Sequence, residues 1–502
     1  MPEKSVIIIG AGLAGLSTGC YAQMNGHKSR IFEHRAVPGG VAAAWKREGY
    51  IIDGGIHFVM GHRPGTALHE LYCQLGVGQK DRFVEMTTYG RFIDEARGRS
   101  VMVTGDLNRL ADDLNALSPM DATAIDEFIA GARAMRGFDM SEVGMSKPPE
   151  LASPMDQLKA MWQMRRVLKY FGGKYARPVT DYVSNFREPL LQECIKSVFL
   201  PDVPVWFVFM LLGLLADGQL GLLKGGCLDF VLPVEKRYKE LGGQVNYTAT
   251  VEEILLEGDR AVGIRLADGS EHHSDVVVSA ADGHSTIFKM LGGRYVNKKI
   301  KSRYQSWRLC RPLVMVSYGV ARDFPEEPPL TVIMLEHPLT VGCQTIGAFM
   351  VRIMNYSSKF APPGKTLVQI EFETDWDYWN DLQTEDRSRY DAEKEWVAAE
   401  ALRRLEAHYP GISSQVEVTD VATPYTTWRY TLNRRGAWGG WLLVPEVANV
   451  QVERTLPGLA DFYMAGQWVM PGGGVPPCLY SGRHVVQILC HRDGRHFTAA
   501  LP

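Results

Sequence analysis

The chain opens with Val6-Ile7-Ile8-Ile9 and runs straight into Gly10-Ala11-Gly12-Leu13-Ala14-Gly15. An uninterrupted apolar run of this kind reads as a strand buried on both faces, as in a parallel sheet. Gly10 permits a tight turn, Gly12 admits a pyrophosphate against the backbone, and Gly15 lets the next helix pack closely on the strand. That helix, predicted over Leu13–Met24 and ending near Gly26, offers its free N-terminal N–H groups to phosphate oxygens. A second strand, Lys28-Ser29-Arg30-Ile31-Phe32, leads to Glu33. The Glu33 carboxylate suits a ribose diol and repels a 2′-phosphate. Together these features predict a dinucleotide-binding α/β fold.

Bulk properties narrow the class. With 502 residues and 46% hydrophobic content, the chain can fill one large core or two smaller ones. A net charge of −3 gives no footing for a nucleic-acid partner. None of the eight cysteines forms a CxxC pair, which argues against a disulfide framework or a metal site and fits a reducing, cytoplasmic setting. The early first strand is expected to leave no room for a cleavable signal peptide. The nearest approach to a membrane-spanning run, Val203–Leu215, contains Pro204 and Gly213 and falls short of the ~18 residues needed.

The pattern along the chain predicts a discontinuous Rossmann-like domain from residues 1–65, 225–300 and 455–495. Residues 66–224 read as a mostly helical, substrate- or membrane-facing region, with helices over Thr66–Leu75, Leu107–Leu117, Ala122–Arg136 and Met155–Phe171. Residues 301–454 read as a mixed α+β substrate-binding domain. Its strand-like segments are Leu313–Val320, Leu330–Leu335, Gln344–Met354 and Thr366–Glu373, and its long helix is Ala392–His408. In the returning nucleotide-type segments, Leu232–Leu241 reads as helix and Val245–Val251 as strand. Glu253–Leu256 and Ala261–Leu266 read as a hairpin, Asp275–Ala280 and Phe462–Gly466 as strands, and Pro476–Cys490 as helix.

Only one dinucleotide fingerprint is present, so FAD is the expected cofactor, with no dedicated NAD(P) domain. The chain resembles the phytoene desaturase-like branch of FAD-dependent amine-oxidase-type flavoproteins, which includes carotenoid desaturases, carotenoid isomerases and retinol saturases. The resemblance rests on Gly10 to Leu16, Glu33 with Gly39-Gly40, Asp53-Gly54-Gly55-Ile56-His57, Gly242-Gly243 through Val251 to Asp282, Thr423-Pro424, and Gly436 to Gly440. The ending, Phe462 to Gly466 with Pro471-Gly472-Gly473-Gly474-Val475-Pro476, completes it. One departure is Val41-Ala42-Ala43-Ala44-Trp45 after Gly40, where many desaturases carry arginine; a charge near the expected flavin edge is missing.

The fingerprint places Gly10, Gly12, Leu13, Ala14 and Gly15 at the pyrophosphate. The resemblance implies Glu33, with His34 beside it, at the adenosine ribose, and Gly39, Gly40 and Val41 along the flavin-side loop. It further implies Gly55, Ile56 and His57 in the next glycine-rich segment, Val251 at the adenine through its backbone, and Ala280 at the end of its strand. Gly466, Gln467, Gly474, Val475 and Pro476 would wrap the ribityl chain and isoalloxazine. Pro476 and Pro477 suit a first helical turn, leaving Cys478 and Leu479 as candidate N–H donors to the flavin.

Three side chains are candidates for catalysis. His57 reads as a proton donor or as a loop hydrogen-bonding group. Trp468 reads as a residue stacked near the flavin or walling the pocket. Arg429, with Tyr430 and Arg434, reads either as a buried guanidinium clamp for a carboxylate or as part of a solvated loop. Trp206–Leu212, continuing to Leu215, reads as a buried helix or a tunnel wall. Lys159, Arg165, Arg166 and Lys169 among Met161, Trp162, Met164, Val167 and Leu168 suit a membrane surface or an ordinary surface helix.

The expected function is an FAD-dependent oxidoreductase that desaturates, saturates or isomerises carbon–carbon bonds of a long hydrophobic isoprenoid or polyene. Oxygen or a quinone is the expected electron acceptor, and peripheral membrane contact is expected. The alternatives are an amine or small-ring oxidase using oxygen and a non-catalytic flavin-binding scaffold.

Overall fold

The computed structural model describes residues 3–139 and 145–501. The N-terminal strand Ser5–Ile9 lies at the centre of a five-stranded parallel sheet. Lys28–Phe32 and then Gln244–Asn246 flank it on one side, Val276–Ser279 and then Phe462–Met464 on the other. Both faces are covered, as the continuous apolar run requires. Val6 and Ile8 pack into a core shared with helices Leu13–Met24, Gly226–Glu240 and Val475–Arg492. Ile7 and Ile9 face the opposite way, onto the antiparallel sheet Val251–Glu257, Arg260–Leu266, Glu271–His273. The chain thus builds one Rossmann-like unit from three separated stretches.

A second sheet has seven strands, in the order Val416–Ala422, Leu313–Val320, Thr366–Glu373, Gln344–Ile353, Leu330–Val341, Thr88–Asp94, Arg99–Thr104. The period-2 geometry of strands divides its side chains. Val314, Val316, Val351 and Ile370 pack under the helix Arg387–His408 through Val397, Ala401 and Leu405. Their neighbours Met315, Met350, Arg352 and Glu371 face a large cavity. A mainly helical layer forms a third core, in which Val205–Ala216 is buried almost throughout. Gly131 lets that helix approach Ala122–Ala134: a Cβ on Gly131 would stand 2.5 Å from the Phe209 ring. Among the described residues, no helix is long and apolar enough to cross a membrane.

Several sequence expectations are corrected. Thr88–Asp94 and Arg99–Thr104 interrupt the helical stretch as strands and extend the second sheet. The expected strand Val245–Val251 is split, because Thr248 has φ +54° and turns the chain between Gln244–Asn246 and Val251–Glu257. The helix expected from Leu232 begins at Gly226 and carries Pro233 inside it. Pro233 has no N–H for the carbonyl one turn earlier, and Arg82 Nη1 bonds that Asp229 carbonyl instead, at 3.1 Å. The helix expected over Met155–Phe171 stops at Met164, where Arg165 Nη1 bonds the Trp162 carbonyl at 2.7 Å; Leu168–Phe171 is a separate 3-10 turn.

Candidate functional site

The two sheets meet at a cavity of about 2320 Å³. Ordinary small-molecule pockets reach about 1,000 Å³, so this one has room for a dinucleotide and a long second molecule. Its walls include Gly10, Gly12, Leu13, Ala14, Glu33, His34, Gly39, Gly40, Val41, Gly55, Ile56, His57, Val251, Ala280, Gly466, Gln467, Trp468, Gly474, Val475, Pro476 and Arg429. Of the site residues read from the sequence, Gly15, Leu479 and Arg434 lie outside the lining, and Gly15 is the fingerprint glycine among them. It sits beneath the turn, where a Cβ would stand 1.9 Å from Gly10 O.

At one end, backbone and carboxylate form a cradle. Gly10 turns at φ +98°, and Gly39 N donates to Ala11 O at 2.9 Å, bringing the second glycine loop against the first. The helix Leu13–Met24 has no acidic residue in its first turn to repel a phosphate. Glu33 is buried; Oε2 accepts from Ala11 N at 2.6 Å and Oε1 from Arg35 N at 2.9 Å. Each oxygen keeps lone-pair capacity for a ribose hydroxyl. His34 is fixed beside it, Nδ1 lying 2.8 Å from Thr250 Oγ1.

The glycine-proline loop near the C-terminus forms the opposite wall. Gly466 N donates to Ser481 Oγ at 2.7 Å, and Gly474 caps the helix Val475–Arg492 at φ +87°. Cys478 N is not a free donor, since it bonds Gly474 O at 3.3 Å. Pro476 and Pro477 have no N–H, so Val475 is the first-turn residue whose N–H has no main-chain partner among the described residues. Trp468 is buried and belongs to an aromatic group with Trp441 (centroids 5.2 Å) and Tyr304 (6.4 Å), which makes it a wall of the cavity.

A buried ion cluster joins the cavity loop to the second sheet. His57 Nε2 lies 3.0 Å from Glu371 Oε2, Glu371 Oε1 takes Arg352 Nη1 at 3.0 Å, and Arg352 Nη2 lies 3.5 Å from Asp53 Oδ2. Asp53 Oδ1 accepts from Cys227 N at 2.8 Å, at the start of the helix Gly226–Glu240. Burial pushes the Glu371 carboxyl up, but the charges of His57 and Arg352 outweigh it and hold the group at about 2. The sequence reading selected His57 and missed Glu371 and Arg352. The available signal was Gln369, Glu371 and Glu373, three polar residues on one face of a strand whose other face carries Val368, Ile370 and Phe372.

The far end is apolar. Trp206, Phe207, Met210 and Leu214 line it from the buried helix, so Val205–Ala216 is at once a core helix and a cavity wall. Phe58, Met86, Phe199, Ile346 and Met350 extend the surface. Of the two readings of Arg429, the buried clamp is corrected and the solvated one holds, on a helix rather than a loop. Arg429 lies on the helix Pro424–Thr431 at the cavity rim and is exposed. A hydrated guanidinium is screened and provides no dry bidentate site. Arg434 is held elsewhere, its main-chain N donating to buried Asp282 Oδ2 at 2.9 Å.

The cradle fits a dinucleotide. A Cβ on Gly12 would meet nothing nearer than Gly39 O at 3.9 Å, and one on Gly474 would meet nothing within 4 Å, so both backbones stand bare against the cavity. The family model for flavin containing amine oxidoreductases matches residues 13–490. Prolycopene isomerase from Arabidopsis thaliana is 23% identical over 489 residues, covering 95% of this chain and 81% of the relative. A neurosporene-forming phytoene desaturase from Rhodobacter capsulatus is 25% identical over 518 residues, covering 96% and 93%. A solved oxidoreductase from Methanosarcina mazei shares the fold at a TM-score of 0.60 with 16% identity, over 96% of this chain and all of that one. Cradle, domain architecture and a match running nearly end to end agree: the chain belongs to the flavin containing amine oxidoreductase family and takes FAD as its cofactor.

Proposed function

We propose that this oxidoreductase acts on carbon–carbon bonds of a long hydrophobic isoprenoid or polyene, desaturating, saturating or isomerising it. The observation that carries the reading is the single cavity that joins the glycine cradle to the apolar wall of Trp206, Phe207, Met210 and Leu214. A small amine needs no such apolar length. Relatives named as a prolycopene isomerase and as phytoene desaturases support the same substrate class.

Bound FAD supplies a two-electron hydride acceptor or donor. The cradle residues would orient it, Glu33 holding the ribose and the first turn of Leu13–Met24 the phosphates. The Val475 N–H would favour negative charge on a bound flavin, and Trp468 would close the wall against water. His57 is the proton-handling side chain. Oxygen or a quinone accepts the electrons if the reaction is an oxidation.

The substrate class also suits the helix Pro154–Met164, which buries no side chain. Met155, Leu158, Met161 and Trp162 are 61–72% exposed, and Leu168 follows at 52%. Lys159, Arg165, Arg166 and Lys169 surround them, none with an acidic partner among the described residues. We infer that this face rests on an anionic lipid surface. Phe171 packs on the cavity residue Trp206 at 5.0 Å between centroids, which puts the patch beside the apolar end.

Anaerobic absorption spectroscopy of the flavoprotein tests the function. Polyenes are expected to bleach the oxidised flavin band or, with pre-reduced enzyme, to reoxidise it or isomerise. Amines that bleach it and yield hydrogen peroxide under air, with polyenes inert in every mode, would overturn the reading.

A further inference from the structure

The ion cluster beneath the cavity loop has a consequence for proton transfer. Glu371 reaches the loop from the strand Thr366–Glu373, its side chain only 3% exposed. One of its oxygens is committed to Arg352. The other, Oε2, is buried without an aligned hydrogen bond and lies 3.0 Å from His57 Nε2. Catalytic hydrogen bonds in ligand-free sites are commonly misaligned and tighten when the site fills. An ionised carboxylate only accepts, so the imidazole nitrogen facing it carries the hydrogen. The remaining nitrogen, Nδ1, has no hydrogen-bond partner among the described residues, and the ring, about a third exposed, lines the cavity.

The surroundings hold this arrangement. Asp53, the last residue of the strand Tyr50–Asp53 that leads into this loop, is tied to Cys227 N, to Arg352, and through its carbonyl to Gln369 Nε2 at 3.1 Å. Gln369 Oε1 in turn accepts from Arg352 Nη1 at 3.2 Å. Ile56 N donates to Cys227 Sγ at 3.1 Å, and a Cβ on Gly54 would strike Trp45 at 2.8 Å, so the loop that carries His57 is wedged from both sides. The charged and titratable groups around the ring are therefore Glu371, Arg352, Asp53, Cys227 and the half-buried Tyr356 phenol beside Arg352.

We propose that Glu371 is the positioning residue of a carboxylate–imidazole dyad, fixing the Nε2 side of His57 and leaving Nδ1 as the atom that exchanges a proton with the substrate. The proposal rests on the carbon–carbon chemistry inferred above. In a desaturation, a hydride leaves one substrate carbon for the enzyme's two-electron acceptor. The C–H bond on the next carbon breaks, its electron pair becomes the new π bond, and its proton passes to Nδ1. The imidazolium so formed is balanced by Glu371 and later loses the proton to solvent. Saturation runs the same transfer in reverse.

The test is nitrogen NMR on holoenzyme labelled with 15N in its histidine rings, at a pH where the His57 ring is neutral. The His57 signals are identified by their loss in His57→Gln. The expected result is the Nε2–H tautomer in the wild type, a mixture in Glu371→Leu, and restoration in Glu371→Asp. Flavin reduction by an accepted polyene should slow roughly 100-fold or more in Glu371→Leu, with FAD content unchanged. A wild-type ring in the Nδ1–H form, or the same tautomer in wild type and Glu371→Leu, overturns the dyad. Should Glu371→Leu fail to fold, the wild-type tautomer alone decides. A wild type with the expected tautomer that reacts with amines and no polyene would instead overturn the substrate class and leave the dyad standing.

Discussion

Gly15 packs so tightly on Gly10 that a Cβ at position 15 would stand 1.9 Å from the Gly10 carbonyl oxygen. Gly12, between them, has φ −72° and ψ 177°, which any residue adopts, and its missing Cβ faces open cavity. The glycines of one fingerprint therefore do different work, and substitution should separate them. Gly15→Ala is expected to cost about 3 kcal/mol or more, because backbone must move to relieve the clash. Gly12→Ala should keep its unfolding temperature as apoprotein and lose FAD, with affinity down at least about tenfold as the methyl meets the pyrophosphate. Thermal unfolding and the flavin-to-protein absorbance ratio after gel filtration measure both. A Gly12→Ala protein that retains full flavin would show that the phosphates do not lie there.

Arg352 is the hinge of the inter-sheet cluster, with carboxylates on both sides. Removing one partner of a buried ion pair leaves an uncompensated charge, at a cost of about 3–5 kcal/mol. Arg352→Met should therefore destabilise strongly in equilibrium denaturation. Asp53→Asn added to it should recover part of the loss, because one stranded charge disappears. Strict additivity of the two losses would mean that the residues act independently.

Much of this architecture was legible in the sequence because its signals are local. The helix Leu13–Met24 follows from the strand before it and the glycines inside it, and the strands Leu313–Val320 and Thr366–Glu373 follow from their partial alternation. The ion cluster was not legible. Asp53 and Arg352 are 299 positions apart and meet only because the cavity loop is laid across the second sheet. On Thr366–Glu373 the alternation of Gln369 and Glu371 with Val368, Ile370 and Phe372 is visible in the sequence, but it also fits a solvent-facing polar edge, and only the fold turns that face onto the cavity. Thr88–Asp94 was missed because Gly90 and Arg91 interrupt its pattern; it is a strand because Leu330–Val341 and Arg99–Thr104 supply partners on both edges. Arg429 illustrates another case: its aromatic neighbours left burial and solvation both open, and the C-terminal turn of its helix meets solvent.

The apolar face of Pro154–Met164 makes its own prediction. The enzyme should co-float with vesicles containing anionic lipid and bind neutral vesicles more weakly, since the basic residues add about 1 kcal/mol each near a charged surface. Raising the salt should weaken the anionic preference. Met161→Glu with Trp162→Glu should reduce partitioning at least about tenfold without changing the flavin spectrum, because both side chains are exposed and neither lines the cavity. Failure of the wild type to float with anionic vesicles would remove lipid from the account of this face.

His484 predicts an acid sensitivity of the fold. Its Nδ1 lies 2.8 Å from Arg454 Nη2 and its Nε2 2.6 Å from Met145 O. Arginine only donates and a carbonyl only accepts, so the neutral ring with hydrogen on Nε2 satisfies both. Burial, reinforced by the Arg454 charge, pushes its pKa down from 6.5 to about 3. The folded value lies below the unfolded one, so between them the unfolded chain binds the extra proton. This contribution is complete above about pH 6.5 and is lost as the pH falls towards 3, a drop that reaches about 2–3 kcal/mol by pH 4.5. Urea unfolding of wild type and His484→Gln at pH 7 and pH 4.5 checks the sign. Glutamine cannot take up the proton, so the variant should lose less stability across that interval. An equal or larger loss in the variant would show that His484 is not the group responsible.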